Sequence, residues 1–142
     1  MASPTRHTVL YDADCGFCRW CLGLLLRADR DHRLRPLALG TPEADRLLAS
    51  MPRDEQLASW HLIDPSGRLT SAGAGLPTVL RTLPAGRLPA DVLARMPAMT
   101  ERGYRWVAGH RTTFGPRIPD RAKRSATERI AARVAAVRAG SG

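Results

Sequence analysis

Two cysteines, Cys15 and Cys18, stand beside two carboxylates, Asp12 and Asp14, in the stretch Tyr11-Asp12-Ala13-Asp14-Cys15-Gly16-Phe17-Cys18. Thiols at this C-x-x-C spacing exchange with disulfides or bind a soft metal. Exchange needs one thiol held as thiolate and a second within bonding reach of it. A helix N-terminus supplies both. Its free N–H groups and dipole stabilise the thiolate, and such cysteines titrate at roughly 3.5–7.5 against about 8.5 when free. One turn on, the next thiol can close the disulfide. Cys15 therefore reads as the nucleophile and Cys18 as the resolving thiol. Asp12 and Asp14 oppose the dipole, because an anionic neighbour raises a thiol pKa. A carboxyl that is buried and protonated part of the time can instead carry a proton to or from Cys18. Gly16 lets a partner backbone come close. Phe17 occupies the position where many related motifs carry proline, so it influences potential and packing.

Cys21 continues the series by the same step. Cys15, Cys18 and Cys21 with one of His7, His32, His61 or His110 would compose a Cys3His zinc site. The spacing also matches the start of an iron–sulfur C-x2-C-x2-C run, without its fourth cysteine and proline. Ligands spread along one helix turn away from a common point, so the favoured chemistry uses no metal and no cofactor beyond the dithiol. Cys21 shares a helical face with Phe17, Leu24 and Ala28 and reads as a small core hydrophobe.

A strand must deliver the motif and a helix must follow it. Thr8-Val9-Leu10-Tyr11 is β-prone, and Phe17 to Ala28 has helical spacing with Asp12 or Asp14 available as its cap. Arg33 to Leu39 reads as a strand, and Pro36 assigns it to an edge. Thr41-Pro42-Glu43 opens a helix that runs to about Ser50, with a cap, a first-turn proline and an acid. Asp64-Pro65-Ser66-Gly67 joins Trp60–Asp64 to Arg68–Thr70 as a β-hairpin. Gly73 and Gly75 read as a flexible joint, followed by helices over Leu76–Leu83, Pro89–Met96 and Met99–His110. Thr112 to Pro119 reads as a linker, and Asp120 to Ala139 as an Ala/Arg-rich helix with Ile130, Val134 and Val137 in one stripe. This order predicts an α/β class chain with the thioredoxin fold: a four-stranded mixed sheet, flanking helices and extra C-terminal helices.

The chain has 142 residues, with 44% hydrophobic and 25% charged, the size and composition of one globular domain rather than a fibrous or disordered chain. Its net charge of +9 is uneven. Residues 1–100 carry 12 basic and 10 acidic residues, residues 101–142 carry 10 and 3. The expected division is a thioredoxin-like domain over 1–112 and a basic extension over 113–142, helical or partly disordered. The extension has no aromatic to stack on bases and no binding motif, which argues against nucleic acid. Its apolar stripe is thin for a membrane surface, so it reads as a solvated helix able to dock through Ile130, Val134 and Val137. Three cysteines do not suit a secreted scaffold, no signal peptide opens the chain, and the longest apolar run, Leu22–Leu26, is far short of a membrane span. The expected setting is soluble, reducing and cytoplasmic.

Asp12-x-x-Cys15-x-x-Cys18 after a strand resembles the DCC family of predicted thiol-disulfide oxidoreductases, named from that Asp and two Cys. Trp60–Arg68 resembles the family's central hairpin, Gly73–Leu83 the helix after it, and Tyr104–Arg111 its C-terminal Tyr…Arg segment, so the resemblance covers about residues 7–112. It implies a thioredoxin-like fold and a redox role for Cys15 and Cys18. The partners would be a protein or low-molecular-weight disulfide and an external reductant. Thioredoxins place a cis-proline before the third strand to bind substrate backbone. Leu57-Ala58-Ser59-Trp60 fills that place without proline, and cis bonds are rare elsewhere. Substrate contact then falls to Gly16, Phe17, Ser59 and Trp60, although Trp60 also reads as core or rim packing. Tyr104, Ala108 and Arg111 share a helix face. Tyr104 and Arg111 either reach the cysteine loop, pairing with Asp12 or Asp14, or pin the last helix to the domain, and the second is favoured. His61 reads as a satisfied structural histidine, and Trp20 falls off the main apolar face of its helix. Two rivals stay open: a metal- or partner-binding module with structural thiols, and a nucleic-acid accessory acting through the basic tail.

Overall fold

The computed structural model describes residues 6–141. Four strands form one sheet: β1 His7–Tyr11, β2 Leu34–Ala38, β3 His61–Ile63 and β4 Leu69–Ser71. Eight helices surround it: α1 Gly16–Ala28, α2 Pro42–Leu47, α3 Arg53–Ala58, α4 Leu76–Arg81, α5 Arg87–Arg95, α6 Pro97–Gly109, α7 Arg111–Phe114 and α8 Asp120–Ala139. The strand order is β2-β1-β3-β4. β2 runs parallel to β1 with Pro36 opposite Val9, β3 runs antiparallel to β1 with Leu62 opposite Val9, and β4 is antiparallel to β3. Pro36 thus lies on an edge strand, where a residue without N–H is tolerated.

Alternation along the strands divides the core in two. Val9, Leu34 and Leu62 pack on one side with Leu22 and Leu26 of α1, Val79 of α4 and Ile130 of α8. Leu10 packs on the other with Ala44 and Leu48, beside Leu37 and Ile63. A parallel strand–helix–strand unit, an antiparallel hairpin and helices over both faces compose the thioredoxin-like fold. Among the described residues no helix is long and apolar enough to cross a membrane.

Several local expectations change. The buried face of α1 is Leu22, Gly23 and Leu26, while Leu24 and Ala28 are exposed. The cause is α8, which lies along α1 so closely that a Cβ on Gly23 would sit 2.5 Å from that of Ala126. Helix α3 falls where no element was expected, its polar sequence anchored by buried Gln56, whose amide donates to the Leu48 and Met51 carbonyls at 3.0 and 2.9 Å. Gly73 and Gly75 are not a flexible joint. They are buried in a 3-10 turn over Ala72–Gly75, and the Gly73 N–H donates to Glu101 Oε2 at 2.9 Å. Residues 111–117 are two short helical turns rather than an open linker. The Ala/Arg-rich segment is helical over Asp120–Ala139 and docked, with Ala126, Ile130, Arg133 and Val137 buried, so it is not a freely solvated helix.

Candidate functional site

Cys15 is the N-cap of α1, in extended conformation (φ −92°, ψ 110°), and its Sγ accepts the Cys18 N–H at 3.2 Å. The thiol itself takes the capping place expected of Asp12 or Asp14, so sulfur sits on the positive end of the helix. The two carboxylates shape the loop instead. Asp12 Oδ1 accepts the Asp14 N–H at 3.0 Å, and the Asp12 carbonyl accepts the Cys15 N–H at 3.3 Å. Arg19, one turn into α1, donates to the Ala13 carbonyl and ties the loop to its own helix. Asp14 is exposed, whereas Asp12 is half-buried and lines the cavity described below.

The three thiols are all free and half-buried. Cys18 is pushed up to about 12, first by burial, then by its hydrogen bond to Cys15 and the Cys15 charge; the Arg111 charge opposes this and Asp12 adds to it. Cys21 is raised to about 11, mainly by burial and then by Cys15. Both are therefore neutral thiols at physiological pH, against a Cys15 sulfur that receives a backbone N–H.

A cavity of about 660 Å3 opens on the Cys18 side of the motif. Cys18 and Cys21 lie on its α1 wall, with Leu22 and Leu25, and helices α5 and α6 supply the opposite wall through Leu93, Met96, Met99, Gly103 and Val107. Cys21 is thus a cavity-wall thiol rather than a core residue, because the inward face of α1 is rotated toward α8. Asp12, Phe17, Ser59, Trp60, Tyr104 and Arg111 all line the same cavity. Trp60 also packs on the core, with Gly75 close beneath its ring, so both of its readings hold. Ser59 Oγ donates to the Trp60 carbonyl at 3.2 Å. Tyr104 and Arg111 line the cavity together with Cys18 and Asp12, and the Trp60 backbone meets the Tyr104 hydroxyl. Burial raises the Tyr104 hydroxyl, the Trp60 backbone N–H opposes this, and Cys18 and Arg111 contribute through their charges. Arg111 makes no ion pair with Asp12 or Asp14.

Gly16 stands apart from the cavity, with the Lys123 side chain 3.6 Å from where its Cβ would be. Phe17 bridges the site and the C-terminal helices, with ring centroids 6.1 Å from both Trp20 and Phe114. Trp20, off the main apolar face, packs there. His61 is buried, with Nδ1 2.6 Å from Ser71 Oγ and Nε2 2.9 Å from the Gln56 carbonyl. Among the described residues no three His, Cys, Asp or Glu side chains are gathered as a metal-ligand set. The α5–α6 wall went unseen in the sequence. Its signal there is the series of apolar residues Leu93, Met96, Met99 and Val107 along the two helices.

No curated protein and no solved structure matches the chain. A family described as DCC1-like thiol-disulfide oxidoreductase matches residues 9–117, from β1 through the C-x-x-C helix and past the Arg111 turn. On that match, which spans most of its length, the chain belongs to the DCC1-like thiol-disulfide oxidoreductase family.

Proposed function

We propose that the protein is a dithiol–disulfide oxidoreductase with Cys15 as nucleophile and Cys18 as resolving thiol. The observation that carries this is the inequality of the pair. One sulfur caps a helix and accepts an N–H, and the other is a half-buried thiol held at about 12. Cys15 thiolate attacks a substrate disulfide R–S–S–R′, forms the mixed disulfide Cys15–S–S–R and expels R′S−, which takes a proton from water. Cys18 passes its proton to the Asp12 carboxylate, which lines the same cavity. Its thiolate attacks the Cys15 sulfur, closes the Cys15–Cys18 disulfide and releases RS−. Two electrons pass to the substrate, and an external dithiol returns them. The high pKa of Cys18 suits this order, since a resolving thiol that stays protonated leaves the first step to Cys15.

The test is trapping. Cys18→Ser should halt after the first step and accumulate one equivalent of mixed disulfide with a chromogenic disulfide, while Cys15→Ser should accumulate none. Equal trapping by both variants would overturn the roles. Stoichiometric zinc or iron in anaerobically purified protein would favour the structural-thiol module instead.

A further inference from the structure

We infer that the disulfide this protein exchanges is a low-molecular-weight one with an apolar body, seated in the cavity between α1 and the α5–α6 pair. The inference rests on the oxidoreductase reading above and adds the substrate class. A volume of about 660 Å3 falls within the roughly 300–1,000 Å3 range of small-molecule sites. The lining offers aliphatic and thioether surface from Leu25, Leu93, Met96, Met99 and Val107. Its charged groups are one acid, Asp12, and one base, Arg111, beside Cys18, which together set no net charge on the ligand. A polar peptide-like disulfide such as an oxidised tripeptide would leave its charges facing hydrocarbon, at the cost of their hydration. An alkyl disulfide would place its chain on the α5–α6 wall and its sulfurs against Cys18, next to the Cys15 sulfur, which lies outside the lining and accepts the Cys18 N–H at 3.2 Å.

The segment before β3 adds an aromatic wall to the cavity. Leu57-Ala58-Ser59-Trp60 holds no proline and, among the described residues, no peptide bond is cis. Ser59 Oγ is turned onto the neighbouring carbonyl of Trp60, and the Trp60 ring forms part of the cavity wall.

Gly103 makes the inference testable. It lines the cavity from an exposed position of α6, and a Cβ built there meets nothing within 4 Å, so a larger side chain can be placed at the cavity mouth without displacing the helix. The probes are dipropyl disulfide and bis(2-hydroxyethyl) disulfide, which have the same shape with methyl exchanged for hydroxyl. Second-order exchange rates of the fully reduced protein are measured with each and divided by the rates of free dithiothreitol with the same probe. The normalised ratio should favour dipropyl disulfide by roughly tenfold. Gly103→Leu should bring that ratio close to one, while Gly109→Leu, on the same helix outside the cavity, should keep it. A wild-type ratio near one overturns the substrate class while leaving the oxidoreductase reading intact. So does faster exchange, per disulfide, with insulin than with dipropyl disulfide. No exchange with any of the three overturns the oxidoreductase reading and the inference with it.

Discussion

Replacing Arg133 by Met tests how the helix that carries the thiols is held. Arg133 on α8 is 6% exposed and Asp29, just past α1, is 1% exposed. The Asp29 carboxylate accepts the N–H groups of Arg33 at 3.0 Å and Leu34 at 2.9 Å, and Oδ2 also accepts Nη1 of Arg133. The same guanidinium donates to the carbonyls of Leu34 at 3.0 Å, Asp29 at 3.2 Å and Leu26 at 3.4 Å. Met keeps an apolar stem and removes every one of these donors. It leaves a buried carboxylate with two neutral N–H partners and no counter-charge. Losing one partner of a buried pair costs about 3–5 kcal/mol. That is a large share of the roughly 5–15 kcal/mol that holds a domain folded. At roughly 3 °C per kcal/mol for a chain of this size, Tm should fall by about 10–15 °C. Urea unfolding followed by far-UV circular dichroism measures the loss, with an unchanged slope showing that two-state behaviour persists. Combined with Asp29→Asn, the loss should fall short of the sum of the two single losses by about 1–3 kcal/mol. A single-variant loss below about 1 kcal/mol, or strictly additive losses, would refute the reasoning.

Three further outcomes are expected. Iodoacetamide at pH 8 should alkylate Cys15 first, because Cys18 at about 12 and Cys21 at about 11 remain thiols there; mass spectrometry showing Cys21 labelled as fast as Cys15 would contradict this. Stability should fall as pH drops below about 6.5. Burial lowers His61 and His7 below that value in the folded chain, so the unfolded chain binds more protons there, and a flat urea midpoint between pH 7 and 5 would contradict it. Gly73→Ala should cost about 1–3 kcal/mol in urea unfolding, since its Cβ would stand 2.6 Å from Glu101 Oε2 and 2.8 Å from Glu101 Cα, and a loss within 0.5 kcal/mol would show that α6 shifts freely.

What the sequence made legible was local chemistry. The Asp64–Gly67 turn is self-contained: Asp64 Oδ1 accepts the N–H groups of Ser66 at 2.9 Å and Arg68 at 3.0 Å, and Gly67 takes φ +89°. Thr41 caps α2 through the Ala44 N–H, as its spacing requires. The C-x-x-C pair sits at the helix N-terminus for the same kind of reason. Contacts between distant segments were not legible. Periodicity gives α1 an apolar stripe but does not show α8 on its flank, so it assigns Cys21 to the core and no role to Gly23. Helix α3 has no stripe at all and is held by the Gln56 amide. The Tyr104–Arg111 face is visible in the sequence, but its approach to Cys18 depends on how α6 packs against the Ala72–Gly75 turn and α5. The cavity arises from the same long-range packing.

The Asp29–Arg133 contact also bears on how the protein is made. Its partners are 104 positions apart in the chain. At translation rates of about 5–20 residues per second, roughly 5–20 s separate the synthesis of the acid from that of its base. Throughout that interval the thiol-bearing helix lacks its backing, and Asp29 has no counter-charge. A nascent chain released before Arg133 would carry all three cysteines on an unsecured helix. Premature termination before α8 therefore leaves the thiol-bearing helix without its flank and Asp29 without its base.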